Sequence, residues 1–235
     1  MKQLHDINQQ EQIIAEGYYN YQLAERNSGL KERWSLHYQL DMGYIHRAEV
    51  WGQVGAIRIK QVTHFAMTDD YHPKLLEMAQ RIADNSEVST QLVCGANGLR
   101  QSISMDEETS EKQFDLPENY TIFFPPVSAH GWILRQYDHD EAGRQSLPLV
   151  CVRMQPQDDL SLSIELRPII YEFINEEEFE TPAGQFPCRH YIRYDQHMEQ
   201  KLWIDKNDMV IQWTVPYSPI MKWDYMLTKY RRFEV

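Results

Sequence analysis

Residues 33–41 read Arg-Trp-Ser-Leu-His-Tyr-Gln-Leu-Asp, and this stretch decides the fold. Apolar or aromatic side chains occupy every second position from Trp34 to Leu40, and polar side chains fill the positions between them. Successive side chains of an extended strand point to opposite faces, so a period of two predicts a β-strand buried on one face. The stretch therefore indicates an antiparallel sheet with one dry face and one wetter face.

The same alternation recurs along the chain, in residues 160–166, 186–194, 201–205, 209–215 and 223–228. Turn residues separate the strands: Gly, Asn and Asp, which tolerate positive φ, are found in residues 41–43, 95–98, 138–143 and 205–208. We predict a mainly β protein with a single large curled antiparallel sheet, a half-barrel or barrel, and one or two short helices. A single domain is expected to span residues 1–235, because no linker interrupts the pattern.

Five segments are harder to assign. Residues 9–16 have helical spacing, and so do residues 74–84, where Pro73 precedes the segment; we favour a helix for both, although an edge strand is an alternative for the second. Residues 132–137 are expected to form a strand that a hairpin joins to residues 147–154. The charged residues 106–112 and 175–180 are expected to be solvated loops.

The chain has 235 residues and a net charge of -12. An acidic chain is a poor match for the nucleic-acid backbone or for an anionic membrane surface, although a local basic patch could exist within an acidic total. No apolar stretch is long enough to span a membrane, and no apolar segment near the first residues resembles a signal peptide. The three cysteines, Cys94, Cys151 and Cys188, are far apart, as in reduced proteins. We expect a cytoplasmic location.

One region resembles a known group of proteins. Residues 181–186 read Thr-Pro-Ala-Gly-Gln-Phe and open an alternating strand, and Trp203 and Asp205 close a later hairpin. This region, roughly residues 165–235, resembles uncharacterised bacterial proteins whose curled antiparallel sheet is similar to that of the lipoprotein carriers of the cell envelope. The resemblance implies a half-barrel around a hydrophobic cavity, and it implies no reaction.

The sequence lacks the motifs of nucleotide binding (GxGxxG or a phosphate loop), of zinc peptidases (HExxH) and of α/β-hydrolases (GxSxG). We expect no cofactor and no metal. The acid–base candidates are His46, Glu49, His64 and His190. His46 and His64 are expected to approach each other on one face if their strands pair. His190 is expected to lie on the apolar face of its strand, between Cys188 and Ile192.

Aromatic side chains on strands either fill a core or form the wall of a cavity, where hydroxyl and indole groups orient a ligand. The candidate ligand-binding residues are Trp34, Tyr38, Trp51, Trp132, Tyr194, Trp213 and Tyr225.

Three functions remain open. The first is binding of a lipid-, polyketide- or terpenoid-like small molecule in the cavity of the curled sheet. The second is a cofactor-independent lyase, hydratase or isomerase that uses a cavity histidine with Tyr or Glu as its acid–base partner. The third is an acidic interaction subunit with a filled core. The expected partner is an apolar small molecule, and the sequence does not fix the oligomeric state.

Overall fold

A computed structural model describes residues 10–83, 87–95, 98–105, 108–117, 119–154, 162–195 and 198–233. Fifteen strands make up most of this part of the chain. They are β1 (Gln12–Leu23), β2 (Arg26–Gln39), β3 (Gly43–Val54), β4 (Ile57–Met67), β5 (Pro73–Ile82), β6 (Val88–Gly95), β7 (Gly98–Met105), β8 (Glu108–Asp115), β9 (Thr121–Phe123), β10 (Arg144–Met154), β11 (Leu162–Thr181), β12 (Gly184–Asp195), β13 (Met198–Asp205), β14 (Val210–Ser218) and β15 (Met221–Arg232).

All fifteen strands belong to one curled sheet with the order β8-β7-β6-β5-β4-β3-β2-β1-β15-β14-β13-β12-β11-β10-β9. Neighbours are antiparallel except β9 and β10, which are parallel. The first and last strands pair in the middle of the sheet, with Tyr21 opposite Tyr225. The order runs from one edge to the other without closing, so the predicted mainly β half-barrel is confirmed.

The two faces of the sheet differ in composition. Directly opposed residues on neighbouring strands share a face, as Trp34 and Ala48 do on β2 and β3. We call the face that carries Trp34 the inner face. The inner side chains of this half of the sheet are almost fully buried, which confirms the dry face predicted for Trp34 and Leu36, whereas Leu40 is 73% exposed in the turn after β2. The buried inner side chains include Trp34, Ala48, Val50, Phe65, Leu76, Met78, Leu92 and Leu99.

Residues 124–137, which we call the internal segment, pack against the inner face. The segment contains two short 3₁₀ helices, Val127–Ala129 and Gly131–Gln136, and buries Val127, Trp132 and Ile133. The strand predicted for residues 132–137 is therefore wrong, as is the hairpin joined to it. Pro125 and Pro126 lack the N–H groups that a ladder needs, and the segment packs across the sheet rather than within it.

The two predicted longer helices are also wrong. Residues 74–82 lie in β5, which pairs with β4 and β6. The described residues of the segment 9–16 lie in β1 and just before it. Gln9 and Asp84, which the two predicted helices included, lie outside the described residues. The apolar residues at 75, 76 and 79 are compatible with the period of a helix and with that of a strand. Cross-strand pairing decides, because it buries Leu76 and Met78 on the inner face.

The charged segments are strands as well. Residues 108–112 belong to β8 and residues 175–180 to the long strand β11, so the expected loops are wrong. Their side chains are nevertheless mostly exposed, as expected. Strands pair through main-chain hydrogen bonds, so solvated charged side chains on the outer face do not prevent the pairing. Asp106 and Glu107 lie outside the described residues, as do Leu160 and Ser161 of the strand predicted over 160–166.

The predicted turn chemistry is confirmed where φ is positive. Asp41 and Gly43 have φ values of 70° and 87° in the β2–β3 turn, and Asp208 has a φ of 60° after β13. The side chain of Asp205 accepts hydrogen bonds from the main-chain N–H groups of Asn207 (2.9 Å) and Met209 (2.8 Å). These hydrogen bonds fix the turn that follows β13, which explains why the strand carrying Trp203 ends at Asp205.

Candidate functional site

A buried carboxylate on β2 holds the internal segment against the sheet. Glu32 lies on the inner face and is fully buried. It accepts hydrogen bonds from the Tyr21 hydroxyl (2.6 Å) and from the main-chain N–H groups of Val127 (2.9 Å) and Ser128 (3.0 Å). Burial raises the pKa of Glu32, and these hydrogen bonds to the charged form oppose the rise. The internal segment is thus fixed at its first 3₁₀ helix by an ionisable group.

His46 lies beside this attachment. Its Nε2 is 2.8 Å from the Ser128 hydroxyl, and the Ser128 side chain is in turn hydrogen-bonded to Glu32. A hydroxyl that donates to the carboxylate must accept from the imidazole, so His46 carries its proton on Nε2. In this arrangement the serine is a relay between two groups and is not activated as a nucleophile. Burial lowers the pKa of His46 to about 3, so the ring is neutral near pH 7.

The internal segment also contains a buried imidazole, that of His130. Its Nε2 donates to the main-chain oxygen of Phe124 (2.8 Å), and burial lowers its pKa to about 3. The ring stacks on Phe123, with a centroid distance of 4.4 Å, and meets the edge of Trp213 at 4.6 Å. Trp213 stacks on Tyr225 at 5.1 Å.

Four ring nitrogens in this region are buried and have no hydrogen-bond partner among the described residues. They are Nε1 of Trp34, Nδ1 of His46, Nδ1 of His130 and Nε1 of Trp132. His46 lies between the two indoles, with centroid distances of 6.4 Å to Trp34 and 5.0 Å to Trp132. We call Trp34, His46, His130, Trp132, Trp213 and Tyr225 the inner aromatic cluster. It is an apolar region with a few polar atoms that face no partner in the described part of the chain.

The structure brings together most of the aromatic residues that the sequence singled out. Trp34, Trp132, Trp213 and Tyr225 lie in the inner aromatic cluster. Tyr38 is connected to it through a chain of rings, from Tyr38 to Tyr44 (5.4 Å), then to Tyr71 (4.3 Å) and then to Trp132 (6.3 Å).

Two of the singled-out aromatic residues lie elsewhere. Trp51 points to the outer face, opposite Lys31 and Lys60. Tyr194 also lies on the outer face, where it donates a hydrogen bond to Glu172 and packs under Arg144. Alternation indicated that these rings lie on strands, but it did not show which face they occupy.

The four acid–base candidates do not come together. His46 is on the inner face opposite Phe65, whereas His64 is opposite Arg47 on the outer face, so the expected approach of the two histidines is wrong. His64 contacts Glu77 (3.1 Å), and Glu49 contacts Lys60 (3.4 Å). A catalytic role for these residues stays a prediction.

His190 lies on the opposite face from the one expected. Tyr191, Arg193 and Asp195 alternate as buried side chains of β12, whereas His190 lies on the other face with Cys188; Cys188 is buried there, and His190 is only partly buried. Arg193 tolerates burial because it donates to Asp195 (3.0 Å) and Gln200 (3.1 Å) and lies over the Phe123 ring. His190 instead contacts Glu177 (3.1 Å) and stacks on Trp203, with a centroid distance of 4.5 Å.

Sequence reasoning missed Glu32, Ser128, His130 and Arg193 as parts of the inner surface. For Glu32 a signal was available, because it occupies the same alternation as Leu30 and Trp34. For Ser128 and His130 none was, because their positions depend on the path of the internal segment. Both Ser128 and His130 are buried in that segment, as are Gly131 and Trp132.

Two clefts lined by described residues lie away from the inner aromatic cluster. One, of about 410 Å³, is lined mainly by Glu77, Glu87, Gln91 and serines of β6 and β7; the other, of about 560 Å³, is lined by Glu176, Glu177, Glu178, Pro187, Cys188, Arg189 and Lys206. Among the described residues no group of three or more His, Cys, Asp or Glu side chains is placed to hold a metal ion. In the same part of the chain no helix is long and apolar enough to cross a membrane.

Comparison with known proteins confirms the fold. No family model matches the chain, and no curated protein matches it. A β-barrel-like protein of the domain of unknown function DUF1849 from Brucella abortus is similar in structure, with a TM-score of 0.62, 11% identity and coverage of 95% of this chain and 99% of that one. A DUF1089 family protein from Pseudomonas aeruginosa has a TM-score of 0.51, 12% identity and coverage of 80% and 90%. The resemblance noted from residues 165–235 therefore extends over the whole sheet.

Proposed function

We propose that this protein binds an apolar small molecule carrying hydroxyl groups, of the lipid, polyketide or terpenoid kind, between the inner face of the sheet and the internal segment. The observation that carries the proposal is the set of four buried ring nitrogens, two on indoles and two on imidazoles, that have no hydrogen-bond partner among the described residues. An unsatisfied buried polar group costs about 1–3 kcal/mol, so four in one region favour an occupant that satisfies them.

The chemistry of the four atoms indicates the polar groups of the ligand. The indole N–H groups of Trp34 and Trp132 can only donate. His46 and His130 each use Nε2 as the donor, so their Nδ1 atoms are acceptors. A matching ligand offers both acceptors and donors on an otherwise apolar body. Hydroxyl groups have both properties, and the surrounding aromatic rings suit an apolar skeleton.

Binding at this position requires the internal segment to shift, because the segment packs against the inner face. At one end the segment is held by Glu32, and Gln61 donates to the main-chain oxygen of Pro125 (2.7 Å). Near the other end, Arg135 contacts Asp208 (2.7 Å). Between these contacts the segment is held by the packing of Trp132 and Ile133 and by the close approach of Gly131 to Asp208. We propose that the ligand enters as this part of the segment moves outward.

Native mass spectrometry of the purified protein tests the proposal first, by detecting a retained apolar molecule. Thermal unfolding in the presence of decanol or decane then separates the contribution of the hydroxyl group. We expect decanol to raise the melting temperature more than decane does. The variant Trp132→Phe removes one N–H donor and should weaken decanol binding by roughly fivefold to tenfold, as expected for the loss of one hydrogen bond.

The matched control is Trp51→Phe, which makes the same change on the outer face and should bind decanol as the wild type does. The proposal is contradicted if no molecule is retained and neither probe shifts the melting temperature. It is also contradicted if Trp51→Phe and Trp132→Phe weaken binding equally, because the site would then lie outside the inner aromatic cluster.

A further inference from the structure

Three neighbouring hairpin turns at one end of the sheet expose apolar side chains. They join β14 to β15, β1 to β2 and β3 to β4, and the order β14-β15-β1-β2-β3-β4 makes them adjacent. The main-chain N–H of Ala24 donates to the oxygen of Lys222 (2.9 Å), which ties the second turn to the first. Ile220 is 89% exposed, Tyr217 66% and Ile57 50%. We call Ile57, Tyr217 and Ile220 the apolar rim.

A turn that faces only water is not expected to expose large apolar side chains such as those of the apolar rim. Turns usually contain Gly, Asn, Asp and Ser, whereas exposing an isoleucine side chain to water is unfavourable. Single exposed apolar residues are common, but here three large ones project from two hairpins that flank a third. They lie at the ends of neighbouring hairpins, where large apolar side chains can insert between lipid headgroups.

The exposed charges of the three turns themselves are mostly positive, whereas the whole chain is acidic. Arg26, Arg58 and Lys222 are exposed at the same three turns, and Glu25 is the carboxylate among them. Lys222 also lies 3.3 Å from Asp224, but its own side chain is about half exposed. A chain with a net charge of -12 thus presents cations where it exposes aliphatic tips. The overall charge argues against an anionic surface as partner, and the local arrangement is an exception to it.

We propose that this end of the half-barrel docks on an anionic phospholipid surface. Ile57 and Ile220 insert among the acyl chains near the headgroups, and Tyr217 lies at the interface, where amphipathic aromatic rings are favoured. Arg26, Arg58 and Lys222 contact lipid phosphates while their aliphatic stems lie along the surface. This docking is peripheral and independent of the ligand site on the inner face.

Vesicle co-sedimentation of the full chain tests the proposal. The vesicles are phosphatidylglycerol and phosphatidylcholine in equal parts, or phosphatidylcholine alone. We expect binding to the mixed vesicles, weaker binding to the neutral ones, and weakening by added salt. The double variant Ile57→Ser with Ile220→Ser should lower the partition coefficient at least tenfold, since each lost side chain is worth about tenfold. Arg26→Gln with Arg58→Gln should reduce the preference for the anionic vesicles, with Lys222 left as the remaining cation.

The control variant is Leu40→Ser. Leu40 is 73% exposed in the turn between β2 and β3, at the opposite end of the sheet, so this variant should bind vesicles as the wild type does. The proposal fails if the wild type binds neither vesicle, or if Leu40→Ser weakens binding as much as the rim variants do. It is also overturned if the rim variants abolish a self-association that occurs without lipid, because the rim would then contact a second copy of this chain.

Discussion

At the scale of single residues, His46 and His130 make folding depend on pH. Burial lowers the pKa of both to about 3, whereas an unfolded histidine has a pKa of about 6.5. The unfolded chain therefore binds more protons than the folded one between these values. The stability that the neutral rings contribute is fully present above about pH 6.5, and it is lost as the pH falls toward about 3.

We predict that the free energy of unfolding falls as the pH is lowered from about 6.5, by up to about 1.4 kcal/mol per pH unit for each of these histidines. The variant His130→Gln keeps a donor for the Phe124 oxygen but does not titrate, so its slope should be smaller by up to one proton. Urea unfolding at a series of pH values measures the slope. His72→Gln, at an exposed position, is the control and should keep the wild-type slope. Equal slopes in all three proteins would contradict the prediction.

Glu32 has the opposite effect on the pH dependence of folding stability. Burial raises its pKa in the folded protein, so the folded state binds more protons and stability falls as the pH rises through the window above the ordinary glutamate value. The alternation of Leu30, Glu32 and Trp34 was sufficient to place this carboxylate on the dry face. Its partners, the N–H groups of Val127 and Ser128, are about 95 residues away in sequence. No local pattern could predict them.

At the scale of elements, the internal segment depends on a close contact between two backbones. Gly131 lies against the β13–β14 turn, and a Cβ atom at this position would be 1.7 Å from the main-chain oxygen of Asp208. The same turn supplies the Asp208 carboxylate, which contacts both Arg135 and Arg189 (2.7 Å each). The second 3₁₀ helix is therefore positioned by main-chain approach and by ion pairs together.

We predict that Gly131→Ala lowers the free energy of unfolding by several kcal/mol, because main-chain atoms of Asp208 must move to admit the methyl group. Thermal or urea unfolding measures the loss. Gly95→Ala is the control, since its Cβ would meet its nearest neighbour at an ordinary 3.6 Å, and it should change stability by less than about 1 kcal/mol. Similar losses in the two variants would show that the contact with Asp208 does not position the segment.

The sequence predicted strands more reliably than it predicted other elements. Where inner and outer faces differ sharply, as at Trp34 and Leu36, alternation identified the strand and its buried side. In β12 both faces carry aromatic residues, and burial of Arg193 depends on partners from β13 and β9, so alternation assigned the wrong face. In β5 the apolar residues fit two periods, and only pairing with β4 and β6 settles the choice.

At the scale of the whole molecule, the sheet is open and its two edges need protection. Alternation and turn chemistry predicted one curled antiparallel sheet, but the pairing of β1 with β15 joins the two ends of the chain and leaves no local signature. The edge strands are β8 and the short strand β9, and β9 is largely buried. β8 is mostly exposed and carries Glu108, Glu111 and Lys112. Charged side chains on an edge strand discourage pairing with another chain.

We predict that replacing charge on this edge promotes association. The double variant Glu111→Val with Lys112→Val raises the β propensity of β8 and removes both charges, so its free N–H and C=O groups can pair with a second copy. Size-exclusion chromatography with light scattering should show a larger, concentration-dependent mass than the wild type gives at the same concentration. Glu199→Val with Lys201→Val makes the same exchange on β13, which has a neighbour on each side, and should leave the mass unchanged. Equal association of both variants would mean that lost surface charge, and not the open edge, drives assembly.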